Sequence, residues 1–139
     1  MSSPPPAITF PDAEQVAIAA LRPHLPGAYL GTEWPAKLAE KLPGGVVSVT
    51  RGGGAWVQKF VTEDVTFDID VLAATKKTAQ DLAQLVRAHL HAAEGTTAGG
   101  ARIYGVTDTS LIWLPHHPSV ETEPIPRYVL VMQARIRPA

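Results

Sequence analysis

The stretch Val65-Thr66-Phe67-Asp68-Ile69-Asp70-Val71 constrains this chain more than any other. Val65, Phe67, Ile69 and Val71 alternate with Thr66, Asp68 and Asp70, the period of two that a strand with one buried face requires. A slip of one residue would send the apolar side chains to water and the carboxylates into the core, so the pattern fixes the register. A few residues later the period changes. Thr75 is placed to cap a helix predicted to run to about Ala93, with Ala79, Leu82, Val86, His89, Leu90 and Ala93 at spacings of three and four. Lys77, Asp81, Gln84 and Arg87 are left for solvent, and Gly95 supplies a left-handed stop.

Weaker patterns flank this unit. Asp12, with Gln15 three residues on, predicts a first helix whose buried stripe is Val16, Ala19 and Ala20, ended by Pro23 and Pro26. Gly27–Pro43 has no clear period; Trp34-Pro35 suggests a turn and Ala36–Leu42 a short helical turn. Gly44-Gly45 opens a strand predicted over Val46–Arg51, and Gly52-Gly53-Gly54 reads as its flexible tip. Further strands are expected around Ala101–Val106 and over Arg127–Arg137, separated by an irregular Pro/His stretch. The first half of the last strand is apolar on both faces, which predicts a central or doubly covered position. The order helix, strand, strand, helix, strand, strand predicts an α+β fold. Its simplest form is a mostly antiparallel sheet of about four strands with two main helices packed on one face. At 139 residues one domain is expected, over 11–139, preceded by a Pro-rich arm over 1–10.

Composition narrows the function. Without cysteine there are no disulfides, thiolate metal sites or Cys nucleophile. Twelve Lys+Arg against thirteen Asp+Glu leave no basic excess, which argues against a dedicated nucleic-acid binder. The start, Met1-Ser2-Ser3-Pro4-Pro5-Pro6, has neither the basic nor the apolar segment of a signal peptide, and no apolar run reaches the roughly 20 residues of a membrane span. A soluble, unanchored protein is expected. The thirteen prolines cluster outside the regular segments and mark stiff connectors, which suit a protein that contacts neighbours.

Asp68 and Asp70 are the best catalytic pair available. They project from one strand face roughly 6–7 Å apart, within reach of a shared divalent metal. Glu63 and Asp64 would add carboxylates, but no lysine follows at a short spacing, and a wet or interfacial sheet face is the simpler reading. His89 and His91 lie on different helix faces, and His116-His117 sit between prolines without a third ligand, so no metal site is expected. No serine has a nucleophile elbow, and Arg51-Gly52-Gly53-Gly54 lacks the Lys and Ser/Thr of a phosphate loop. Neither catalysis nor a cofactor is expected.

The short opening helix, the Val-rich strand ending in Arg51-Gly52-Gly53-Gly54 and the acidic strand Glu63–Val71 are followed at once by an Ala-rich helix, Thr78-Ala79-Gln80-Asp81-Leu82-Ala83 through Leu90. With the late strand Tyr128–Arg137, this series resembles the tail terminator family of long-tailed (siphovirus-type) bacteriophages, particularly those of actinobacteria. The resemblance covers about Asp12 to Arg137; Pro115–Pro126 departs from it. It implies a structural virion protein at the tail–neck junction, assembled in the host cytoplasm. There a ring, usually six-fold, caps the tail tube, stops its polymerisation and joins the head connector. The implied partners are further copies of the chain, the tail tube protein and a connector or neck protein, while DNA passes through the lumen without specific binding. On this reading Glu63, Asp64, Asp68 and Asp70 form a lumen or inter-subunit face, either repelling DNA phosphates or pairing with Arg51, Arg87 or Arg135 of a neighbour. Arg51, Gly52, Gly53 and Gly54 form a contact loop. The alternatives are another head–tail neck or completion protein, a metal-dependent nuclease using Asp68 and Asp70, and a ligand-binding domain whose pocket is lined by Trp34, Trp56 and Trp113.

Overall fold

The computed structural model of the chain describes Pro4 and residues 6–139; the other positions of the Pro-rich arm, 1–3 and 5, lie outside the described residues. The first helix, α1 (Ala13–Leu21), begins where Asp12 accepts hydrogen bonds from the backbone N–H groups of Glu14 and Gln15. Its buried stripe is Ala13, Val16, Ala17, Ile18 and Leu21; Ala19 and Ala20 are only half-buried. A short strand, β1 (Tyr29–Gly31), and a one-turn helix, α2 (Leu38–Lys41), occupy the stretch without periodicity. Two long strands follow, β2 (Val46–Gln58) and β3 (Thr62–Leu72), then α3 (Lys76–Ala92), whose first turn is closed by reciprocal Thr75 and Thr78 capping. The chain ends with β4 (Thr97–Ala98), β5 (Ala101–Trp113) and β6 (Arg127–Pro138).

These strands form one curled, half-barrel sheet in the order β1-β2-β3-β6-β5-β4. The expected four-stranded antiparallel sheet with two helices is thus incorrect: the described residues form six strands, three helices and a mixed sheet, because β1 runs parallel to β2. The two extra strands are the short ones at the edges. With three residues and two, neither is long enough to display a period of two. β4 exists because Gly99 and Gly100, both at positive φ, make the two-residue turn that pairs Ala98 with Ala101.

α1 and α3 lie together on one face of the sheet. Val16, Ala17, Leu21, Ala79, Ala83, Val86 and Leu90 pack there against Val47, Val49, Val65, Phe67, Ile69, Val71, Leu130, Met132 and Ile136. β6 is central, between β3 and β5, and is buried on this face only; Val129 and Val131 on the other face are half-exposed. The second face is buried only at its β1 end, at Val46, Ser48 and Leu72; the remainder is exposed or half-exposed among the described residues.

Both outer edges are short of partners. β1 covers only Val46–Ser48 of β2, and β4 with Gly95 and Thr96 covers β5 only as far as Ile103. Beyond these points, Thr50–Gln58 and Gly105–Trp113 have no further strand beside them among the described residues. One N–H near each edge is taken by a carboxylate instead: Arg51 donates to Glu14 at 2.8 Å, and Val106 to Glu94 at 3.3 Å. Each of these strands carries two register shifts, at Arg51/Gly53 and Trp56/Gln58 in β2 and at Ile103/Gly105 and Asp108/Ser110 in β5. Bulges raise local twist, which accounts for the curl.

Candidate functional site

The bare face is where the sheet's chemistry is exposed. Alternation along β3 puts Asp64, Thr66, Asp68 and Asp70 on it, and sends Val65, Phe67, Ile69 and Val71 to the helices. Glu63 has the parity of the apolar set. It is buried on the helix-covered side, where Arg51 Nη1 meets its carboxylate at 3.0 Å. The expected four-residue acidic face therefore loses Glu63 and keeps three members.

Two of those three are already engaged within the chain. Arg135, directly opposite Asp64 on β6, holds its carboxylate through Nε at 2.8 Å and Nη2 at 3.1 Å. This two-pronged hydrogen bond, with the adjacent positive charge, keeps the Asp64 carboxyl below its ordinary pKa and raises that of Arg135. Asp70 accepts the Trp34 indole N–H at 3.0 Å. Trp34 in turn stands edge-on to His116, 4.7 Å between ring centroids, with the Arg127 guanidinium 5.6 Å from its ring centre. This clasp ties the loops before α2 and after β5 to one end of the bare face. Asp68 stays exposed, its carboxylate lying over Gly52.

Arg51, Arg87 and Arg135, expected to pair with these acids across a subunit contact, do not stand free. Each arginine has a partner in its own chain, Glu63, Asp108 and Asp64 respectively. Asp108 also lies 2.5 Å from His91 Nε2. Arg51–Gly54 is not a loop either; all four residues lie inside β2, paired with β3 through the bulge. The hairpin tip is further on, at Lys59–Val61, where Val61 N–H reaches the Gln58 carbonyl and Phe60 adopts a φ of 62°. Trp56 packs there between Phe10 and Phe60, at 5.7 and 5.0 Å. Trp34, Trp56 and Trp113 sit in three different aromatic clusters and do not line a common pocket.

The other end of the bare face holds residues that the sequence reading did not single out. Arg102 on β5 stands opposite Arg137 on β6, and Tyr104 is the residue that the bulge inserts beside them. The two guanidinium carbons lie 5.7 and 5.3 Å from the Tyr104 ring centre. A groove of about 300 Å³ adjoins them, lined by Asp64, Tyr104, Gly105, Thr107, Gln133 and Arg135. The available signal was alternation: Arg135 and Arg137 share a parity on β6, opposite to that of the buried Met132, Ala134 and Ile136.

Among the described residues no three His, Cys, Asp or Glu side chains converge as a metal site. Nor is any helix long and apolar enough to cross a membrane. No protein-family model matches the chain, and no curated protein matches it.

Proposed function

We propose that the chain is a structural virion protein of the tail terminator type. Copies would associate head-to-tail into a ring that caps the tail tube, halts its growth and meets the head connector. The observation that carries the reading is the sheet with two largely unpartnered edges, Thr50–Gln58 of β2 and Gly105–Trp113 of β5. Unpaired N–H and C=O groups invite a further strand, and natural proteins seldom leave long edges open without a use or a defence. Two different edges on one subunit suit a heterologous contact, which closes into a ring when the rotation per subunit divides a full turn. Bulges in both edge strands restrict pairing to a partner of matching curvature, which favours a self-contact over indiscriminate association. α1 and α3 pack on one face, which leaves the exposed part of the opposite face for the lumen of such a ring.

Sedimentation mass together with negative-stain imaging of the purified chain tests this. A closed ring, formed alone or on tail tubes, is expected; a chain that stays monomeric under both conditions refutes it. Tail length in phage lacking the protein separates a terminator from another neck component, because only loss of a terminator gives overlong tubes.

A further inference from the structure

We propose that Arg102, Tyr104 and Arg137 form a contact for the phosphodiester backbone of a nucleic acid. Arg102 and Arg137 are directly opposite on neighbouring strands, where like charges repel at close range. Among the described residues neither has a carboxylate within ion-pair distance, whereas the next arginine on that face, Arg135, is neutralised by Asp64. An anion between the two guanidinium groups relieves the repulsion. Tyr104 makes the site more than two surface charges. The Ile103/Gly105 bulge inserts it beside both guanidinium groups, and an aromatic face near a guanidinium fixes the orientation of a long side chain.

Held planar forks match the paired oxygens of a phosphate, and the phenol adds a hydrogen-bond donor. The adjoining groove is lined by neutral Thr107 and Gln133 and by the mutually neutralised Arg135–Asp64 pair, so it adds no net charge and leaves room for the phosphates that follow. Asp68, exposed further along, repels phosphate there and confines the contact to the arginine end. The inference rests on the ring reading only for the reason that DNA comes near this face; the contact itself belongs to the single chain.

The test is the salt dependence of binding to a labelled mixed-sequence DNA duplex, followed by fluorescence anisotropy from low salt upward with the full chain. For the wild type, log K falls linearly with log salt. Arg102→Gln/Arg137→Gln is expected to reduce the slope by about two, one for each guanidinium taken away from a phosphate. Arg102→Lys/Arg137→Lys keeps most of it, and Lys77→Gln, on α3 across the sheet, leaves it unchanged. Both arginines are exposed, and circular dichroism verifies that the variants remain folded. No duplex binding by the wild type, or an unchanged slope in the double Gln variant, overturns the proposal. Binding of inorganic phosphate without affinity for duplex overturns it too, leaving a free-anion site. A change in sedimentation reproduced by Glu121→Gln/Glu123→Gln, in the exposed loop before β6, would identify a second copy as the occupant and also overturn it. Arginine-dependent binding by a chain that never forms a ring supports the contact and refutes the ring reading alone.

Discussion

Replacing the three consecutive glycines of β2 one at a time by alanine separates a strand from a flexible tip. At Gly54 the backbone has φ +118°, a conformation that L side chains rarely adopt, and an added Cβ would come within 2.9 Å of Val65 Cα and closer still to the Asp64 carbonyl oxygen. Those are backbone atoms of the paired strand, so no side-chain rotation relieves the overlap. Local strain of about 1–3 kcal/mol, with distortion of the β2–β3 ladder added, makes the expected cost of Gly54→Ala about 3 kcal/mol. Gly53 is the opposite case: its φ is not positive and nothing lies within 4 Å of an added Cβ. Gly53→Ala removes freedom from the unfolded chain and is expected to stabilise by about 0.4–1 kcal/mol. At Gly52 the obstacle is the Asp68 carboxylate, which can swing aside at a cost of about 1 kcal/mol. Urea unfolding followed by circular dichroism reads all three. With a slope of about 2 kcal/mol/M, the midpoints of the Gly53 and Gly54 variants should differ by about 2 M. Two midpoints within about 0.3 M of each other would show a loop indifferent to side chains and refute the in-strand placement.

Three further outcomes are expected. Leu130→Ala, in fully buried central β6, should cost about 2–5 kcal/mol by urea unfolding, since its cross-strand neighbours Ile69 and Leu111 are held by the sheet ladders and cannot collapse inward. Arg51→Met leaves the buried Glu63 carboxylate without its cation and should cost about 2 kcal/mol, less than a fully buried pair because Arg51 is partly in water; Arg51→Met/Glu63→Leu should recover most of it. Because the folded state holds the Asp64 carboxyl below its ordinary pKa, the contribution of that group is present above the unfolded value of 3.8 and is lost as pH falls through the lower folded value. The stability difference between wild type and Asp64→Asn should therefore be constant near neutrality and shrink on acidification below that range; a difference independent of pH throughout would show that Arg135 does not hold this carboxylate in solution.

The bare face accounts for the residues on which the sequence reading and the structure part company. Parity alone, applied strictly, would have removed Glu63 from the acidic set, since it is two residues from Val65 and shares its side of the strand. Grouping it with Asp64 followed composition rather than geometry. The glycine run was read as a tip because glycine is the commonest punctuation between strands. A bulge uses the same residue for close backbone approach inside a strand, and one chain alone does not distinguish the two. The partners of Asp64 and Asp70 come from 71 and 36 residues away. No local pattern relates positions that far apart.

The period of two over Val65–Val71, the Thr75 cap and the helix behind it followed from the sequence by itself. Each of these rests on interactions within a few residues, and burial of one face then fixes which side chains point inward. Six strands instead of four, a mixed and curled sheet, two edges left short of partners and the Arg102–Tyr104–Arg137 cluster were decided only by the tertiary structure. Short edge strands take their stability from the strand they lie against, and the cluster exists only where β5 and β6 are brought into register. The alternating strand thus told which of its faces is core. What the opposite face presents to a partner depended on three other strands.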